Sequence, residues 1–483
     1  MPEKLIKTRF APSPTGFMHI GNLRTALYSY LLSKSQGGKF ILRIEDTDQE
    51  RFVEGAVDVI IKTLEMTGID YDEGPGVGGD NGPYIQSERK DIYMEYAKKL
   101  IDSGHAYYCF CTAERLQKLH DENDFGGYDR HCRDLPKEEV EKNLAEGKPF
   151  VIRQKMPLEG KTSYVDEVYG EVEMDNSELQ DQILIKADGF PTYNFCHVID
   201  DYLMGVTHVV RGNEYLTSTP KYCLLYDAFG WERPKYVHLP LLMGKDSEGN
   251  VSKLSKRHGA VSFQDLVNTG YLPEAIVNYI ALLGWSPKDS TEEFFTMDEL
   301  KKAFTMDMLS KSPSVFDYDK LKWFNSEYIK KLSDEAYEEK ALPILNDICP
   351  DSIDTKKLAG LLKTRIATFD EIKEKVDFVL ERLSMESDLY TNKKNKTTPE
   401  LCKTILEECL PILEGLSDWS NDSLFAALKQ YAADTERKAG AVMWAVRIAV
   451  ARLAVTPGGA TELMEVLGKT ESIDRIKLAI SEL

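Results

Sequence analysis

Apolar and polar positions alternate at the start of the chain. Ile6, Thr8 and Phe10 fall between Lys7 and Arg9, the spacing of a short half-buried strand. A stretch rich in proline and glycine follows, "APSPTGFMHIGN". Beyond it Leu23, Ala26, Leu27, Tyr30 and Leu31 recur at helical spacing, which predicts a helix opening at about Ile20. "KFILRIEDTD" (39–48) reads as a second strand, ending in acids able to cap what comes next. Val53, Ala56, Val57, Ile60, Ile61 and Leu64 then hold one helical face, and Gly68 is placed to stop it. Strand, helix, strand and helix at these lengths predict a parallel α/β sheet.

The pattern changes at about 105. Up to about 190 the chain shows short β-like runs with polar turns, such as "KPFVIRQKM" and "GEVEMDN", which reads as an insertion. "ILIKADGFPTYNFCHVIDDYLMGVTHVVRG" (183–212) reads as extended segments returning to the sheet. "TSTPKYCLLYDAFGW" is helix-like, and "YVHLPLLMG" is a strand running into a loop. Helices dominate after about 270, beginning with "LPEAIVNYIALLGW". Beyond about 330 nearly everything is helical, broken by a lysine-rich polar loop, "LYTNKKNKTTPE" (389–400). "GPGVGG" (74–79) has the spacing of a dinucleotide loop, but acidic "DYDEG" precedes it and "DNGPY" follows. Without a strand before and a helix after, it predicts a surface turn.

At 483 residues the chain exceeds one core, so several domains are expected. Hydrophobic residues at 42% and charged residues at 29% are ordinary for a soluble globular protein. The start has no apolar signal core, and no apolar run is long enough to span a membrane, so the expectation is a cytoplasmic protein. A net charge of -20 argues against a non-specific nucleic-acid coat, yet leaves room for a specific nucleic-acid partner met through local patches. Eight cysteines in a chain of this length do not make a disulfide framework. Cys196, Cys223, Cys349, Cys402 and Cys409 are scattered and read as small buried hydrophobes.

Candidate chemistry lies in two stretches. Pro12 and Pro14 stiffen the first loop, while Gly16 and Gly21 let backbone approach a ligand. The helix start should offer free N–H groups and a positive dipole end to a phosphate, with His19 as a further donor. The second stretch, "VSKLSKRHG" (251–259), sets Lys253, Lys256 and Arg257 around two serines between glycines. Such lysines can close over a polyphosphate; a solvated basic turn is the plainer alternative.

"HIGN" after "FAPSPTG", with "KLSKR" some 230 residues later, resembles the paired signatures of class I aminoacyl-tRNA synthetases. "GGKFILRIEDTD", "LMGVTHVVRGNEYLTSTPKY", "KLSKRHGAVSFQDL" and "VTPGGATELMEVLGK" resemble the bacterial glutamyl branch nearly end to end. Ser13-Pro14-Thr15 stands where the glutaminyl branch usually has Glu-Pro-Asn. The resemblance implies a Rossmann-like α/β catalytic domain over 1–104 and 191–250, with an inserted α+β acceptor-end-binding domain over 105–190. It further implies a stem-contact domain over 251–330 and an all-α anticodon-binding domain over 331–483.

The reaction implied is ligation of L-glutamate to tRNA(Glu) through glutamyl-adenylate, with ATP and Mg²⁺; use of tRNA(Gln) as a second acceptor is the alternative. The resemblance assigns His19 and Lys256 to catalysis. It assigns Thr15, Gly16, His19, Gly21, Asn22, Lys253, Ser255 and Lys256 to ATP. Arg9, Ser13, Glu45, Tyr193 and Arg211 are assigned to glutamate, and the role of His197 stays open. Lys393, Lys394, Lys396 and Arg365 are candidates for tRNA contact. The family's usual state is a monomer.

Cys109 and Cys111, on one turn of "CFC", and Cys132 of "YDRHCRD" have a spacing that suits tetrahedral Zn²⁺. Some relatives complete such a site with histidine where this chain has Asp134. Tyr128, His131 and Asp134 are the candidates for a fourth ligand, with Asp134 at the family's position. A metal-free thiol cluster is the competing reading.

Overall fold

A computed structural model describes residues 5–48, 50–122, 127–246, 248–259, 261–384 and 386–483, with Lys256 described by its backbone alone. The chain forms two compact units. One comprises Met1–Leu266 and Ile276–Asp317, the other Val267–Ala275 and Tyr318–Leu483.

In the first unit the strand Lys7–Phe10 pairs in parallel with Lys39–Leu42, Phe10 opposite Leu42. The helix Ile20–Lys34 joins them, and its predicted apolar positions are all buried. The first strand is not half-buried as its alternation suggests, because Thr8, Arg9 and Phe10 are all inside. Helices cover a parallel sheet on both faces, so period-two polarity does not mark a solvent side. Regular pairing of the second strand stops at Leu42. The chain continues alongside the loop, with Arg43 N–H donating to Phe10 O and Glu45 N–H to Pro12 O, both at 3.0 Å. The next helix, Ala56–Met66, ends as expected before Gly68, whose φ of +68° suits glycine.

The stretch 183–212 departs from its expected extended form. Between the strands Ile183–Ile185 and His208–Gly212 lies a helix, Tyr193–Leu203. Residues Phe195–Asp201 are buried without a break, so the helix has no polar face to reveal its period. His208–Gly212 pairs in parallel with Lys235–Leu239. Thr207 N–H donates to Lys7 O at 2.9 Å and joins the two strand pairs. The order 39–42, 7–10, 208–212, 235–239 therefore reverses direction beside the first strand. Such a switch opens a crevice at the carboxyl ends of the strands.

Three antiparallel strands, Ala106–Cys109, Val151–Gln154 and Ile183–Ile185, form a separate small sheet. The hairpin Lys161–Asp166 with Gly170–Asp175 lies between them in sequence. It adds instead to the edge of the parallel sheet, Asp166 opposite Tyr236. After Leu239 the chain forms another strand, Leu242–Lys245, where a loop was expected; it pairs with Val251–Lys253 and with Ser314–Phe316. "GPGVGG" is a tight turn closed by mutual Gly74 and Gly78 backbone bonds, with no helix after it.

The second unit is helical, and its apolar faces form one core from Leu272 to Ala479. Thr398 caps the helix Pro399–Gly415 and ends the lysine-rich loop, whose Asn392 and Thr397 exchange backbone bonds across a turn. Four of the five scattered cysteines are buried; Cys349 is only half-buried.

Candidate active site

The crevice is a cleft of about 1200 Å³. Arg9, Ser13, Thr15, His19, Gly21, Asn22, Glu45, Tyr193, Arg211 and Lys253 all line it. Gly16 and Ser255 stand outside its lining. Gly16 has a φ of +120° and open space where a Cβ would go, so its part is to turn the backbone. The Lys256 side chain lies outside the described residues; its backbone opens a short turn, Lys256–His258.

The helix start does not offer the free N–H groups expected of it. Ile20 N–H donates to Val261 O, Gly21 N–H to His19 Nδ1, and the N–H groups of Asn22 and Leu23 to His19 O. What remains for a phosphate is the dipole end and the His19 ring. Gly21 N–H meets Nδ1 at 2.9 Å, so the neutral ring carries its proton on Nε2. Burial, and then the nearby Lys253 charge, lower the His19 pKa and keep that neutral form. A Cβ on Gly21 would meet Nδ1 at 3.2 Å. Glycine here makes room for the ring.

The two signature stretches are stitched together by backbone. His19 and Ser262 form an antiparallel bridge, flanked by Ile20 N–H to Val261 O and Phe263 N–H to Met18 O. This carries the lysine loop to the cleft. His258 braces that loop from within: Ser255 N–H donates to Nδ1 at 3.0 Å, and Ser252 Oγ lies 3.1 Å from Nε2. The ring packs over Gly244, where an added Cβ would come within 2.6 Å of it.

At the far end of the cleft the charges are buried. Arg9 Nε donates to Asp201 Oδ1 at 3.0 Å, and Arg43 Nη1 donates to the same oxygen at 2.8 Å. Arg43 Nη2 reaches Glu45 at 3.0 Å. Burial pushes the Glu45 carboxyl up to about 6, against the pull of Arg43 and Arg9. Arg211 differs from Arg9. No carboxylate among the described residues pairs with it. Nε donates to His238 Nε2, Nη2 to Thr219 Oγ1, and Nη1 has no partner. Tyr215 and Tyr222 lay their rings near the guanidinium, 5.1 and 4.9 Å away. Such a group has the chemistry to pair with a carboxylate.

Comparison with known proteins fits this geometry. Residues 5–323 match the model for the class I tRNA synthetases (E and Q), catalytic domain, and residues 318–480 match an anticodon binding domain. The glutamate–tRNA ligase of Clostridium novyi is 56% identical, over 100% of this chain and 99% of that protein. The ligase of Clostridium tetani is 54% identical, over 99% and 98%. The chain belongs to the glutamate–tRNA ligase family. The crystal structure of glutamate-tRNA synthetase from Elizabethkingia anophelis matches at a TM-score of 0.90 and 36% identity, covering 99% of this chain and 100% of that one.

Within this ligase fold, His197 lies behind the cleft lining. Its ring stacks on Tyr193 at 4.6 Å, and its Nδ1 lies 2.6 Å from Tyr193 O. Burial, followed by the Arg211 charge, lowers its pKa to about 3, so it is a neutral spacer that holds Tyr193. Sequence reading missed Asp201, Arg43, His238 and His258. The signals were present as the acid pair in "VIDDYL" and the histidine inside the apolar "YVHLP".

The cysteine cluster is remote in sequence from these residues. Cys109 ends a strand rather than sharing a turn with Cys111, and the thiols of Cys109, Cys111 and Cys132 lie within 4.8 Å of one another. Tyr128 Oη is 3.2 Å from Cys109 Sγ and 3.8 Å from Cys111 Sγ. Asp134 is not brought to the cluster; it is exposed and paired with Lys155 at 2.8 Å. His131 is outside it too, with its backbone N–H on Asp129.

Gly244→Ala forces the His258 ring, and with it the lysine loop, to move. A displacement of this kind costs on the order of a hundredfold in kcat/KM for ATP. Pyrophosphate exchange at varied ATP measures it, with thermal melting as the check that the fold is kept.

Proposed function

We propose that the enzyme activates L-glutamate with ATP and transfers it to tRNA(Glu), working as a cytoplasmic monomer. The buried, unpartnered face of Arg211 in a cleft that also holds the His19 loop carries this assignment. A site with one end for phosphate and the other for a carboxylate suits adenylation of an acidic amino acid.

In the first step the glutamate α-carboxylate attacks the ATP α-phosphorus, and the bond to pyrophosphate breaks. Arg211, Arg9 and Tyr193 hold the side-chain carboxylate; Glu45 and Ser13 receive the α-amino end. His19 donates from Nε2 to a phosphoryl oxygen, while Lys253 and Lys256 take the charge of the leaving pyrophosphate. Thr15, Gly16, Asn22 and Ser255 shape the nucleotide's seat. In the second step a hydroxyl of the tRNA's terminal adenosine attacks the activated carbonyl and releases AMP. No protein nucleophile enters; catalysis is positioning and charge stabilisation. Among the described residues no cluster of three acids gathers in the cleft, so Mg²⁺ is held chiefly by the phosphates that bring it. The segment 105–190 grips the acceptor end, 251–330 the stem, and 331–483 the anticodon.

The cysteine cluster suits structural Zn²⁺. Cys111 and Cys132 Sγ are 3.6 Å apart, close to the edge of about 3.8 Å that a tetrahedron of Zn–S bonds requires. Cys109, Cys111 and Cys132 would hold the ion with Tyr128 Oη as the fourth donor, in place of Asp134. It would stiffen the inserted sheet and take no part in the chemistry.

The deciding experiment is glutamylation of purified tRNA(Glu) and tRNA(Gln) transcripts with ATP. Charging of tRNA(Glu) is expected, and in His19→Ala adenylate formation, read as pyrophosphate exchange, should fall by roughly a hundredfold or more. Failure to charge either transcript with folded protein overturns the proposal; charging both adds tRNA(Gln) as an acceptor. Because the Glu45 pKa is raised to about 6, its charge is lost as pH falls through that value. The kcat/KM for glutamate should therefore drop below about pH 6, approaching tenfold per unit, and Glu45→Gln should abolish that limb. Metal analysis of protein purified without chelators should return about one zinc per chain. A value under about 0.2 rejects the zinc site.

A further inference from the structure

The parallel strands His208–Gly212 and Lys235–Leu239 set Arg211 opposite His238. Both side chains are buried, and His238 Nε2 receives the Arg211 Nε–H at 3.1 Å. The other ring nitrogen, Nδ1, lies 2.6 Å from Asp166 Oδ2. Asp166 is also buried and comes from the hairpin that joins the sheet edge. At that separation a proton sits between Nδ1 and the carboxylate. Burial lowers the His238 pKa; Asp166 works against it and the Arg211 charge works with it. The ring is thus neutral, its one proton on Nδ1, and Nε2 is a bare lone pair.

We infer that Asp166 and His238 are positioning residues for amino-acid selectivity. Asp166 fixes the His238 tautomer, and His238 orients the Arg211 guanidinium without cancelling its charge. The inference rests on the assignment of Arg211 to the substrate's side-chain carboxylate.

Arg9 and Arg211, set side by side, show why a neutral acceptor matters. Arg9 is tied to Asp201, an anion, so much of its charge is already answered. A carboxylate in place of His238 would orient Arg211 as well. It would also neutralise it, and a glutamine amide would then compete more nearly on equal terms with a glutamate carboxylate. The Asp166 charge is spread away from the arginine. Oδ1 accepts from the N–H groups of Val168 and Tyr169 at 3.0 and 2.8 Å, and Oδ2 accepts also from His238 N–H at 3.2 Å. Thr219 Oγ1 fixes Nη2 at 2.6 Å and passes its own proton to Tyr215 O at 2.7 Å. Only Nη1 is left without a protein partner.

Asp166→Asn tests this with little change in shape. The oxygen of the new amide faces the Val168 and Tyr169 N–H groups, so its NH₂ faces the His238 ring and the bond from His238 N–H is given up. The ring then accepts at Nδ1, carries its proton on Nε2, and meets the Arg211 Nε–H donor to donor. The KM for glutamate should rise by about tenfold or more, the KM for ATP should stay within about twofold, and discrimination against glutamine should fall. Long-range ¹⁵N spectra of histidine-labelled wild-type protein should show His238 as the Nδ1–H tautomer. An unchanged glutamate KM, or equal losses for glutamate and ATP, overturns the inference. So does an Nε2–H or doubly protonated His238 in the wild type, whether or not the variant folds. Arg211→Gln, measured alongside, separates the two levels. If it leaves glutamate KM unchanged, the assignment of Arg211 itself fails; if it raises KM while Asp166→Asn does not, only the relay fails.

Discussion

One carboxylate oxygen holds one end of the cleft together. Asp201 Oδ1 accepts from Arg9 on the first strand and from Arg43 beyond the second, and Asp201 itself sits on the helix Tyr193–Leu203. Burial alone would raise its carboxyl, but Arg9 and Arg43 hold it far below the usual carboxylate range. Arg43, fully enclosed, also reaches Asp200 and Glu45. Removing one partner from such a set typically costs about 3–5 kcal/mol, because the remaining charges stay buried. Three elements distant in sequence are thereby fixed to each other where the strands end, and substrate groups can be placed against a rigid wall.

The second organising device is backbone pairing. Signature stretches separated by most of the first unit meet because residues 18–20 and 261–263 hydrogen bond as strands do. That pairing uses up the helix-start N–H groups, which a sequence reader would give to phosphate. The consequence is chemical. A ring donor at His19 Nε2, its tautomer set by Gly21 N–H, is left at the helix start, and the same pairing delivers the lysine loop. One glycine thus fixes a proton's position as well as clearing space.

How much of this was legible depended on periodicity. The helix Ile20–Lys34 and the strands around it were readable because small residues, loops and apolar spacing agreed with one another. The helix Tyr193–Leu203 was not, because it is buried on every side and its β-branched and aromatic residues mimic a strand. The motif residues were named by resemblance, and most of them line one cleft; their supporting partners were not legible. Asp201, His238 and His258 act through contacts made only in three dimensions, and one sequence does not show which buried charge meets which. Asp134 failed for the opposite reason: its position matched a pattern, yet its side chain turns to Lys155 while Tyr128 meets the thiols.

The contrast between the two arginines shows how a fold can divide one task. Arg9, neutralised in part by Asp201, gains rigidity and gives geometry. Arg211, braced by a neutral imidazole and a hydroxyl, gives up the strongest available anchor and keeps its charge for a ligand. Burial alone would disfavour a cation without a counter-ion, but the surrounding tyrosines outweigh it and hold Arg211 charged. A carboxylate can pair with that charge, and an isosteric amide cannot do so equally. On the proposed assignment of Arg211 to the substrate's side chain, selectivity for an acid over its amide rests on that uncompensated charge. It is sustained by a hairpin residue, Asp166, that touches neither the cleft nor the arginine.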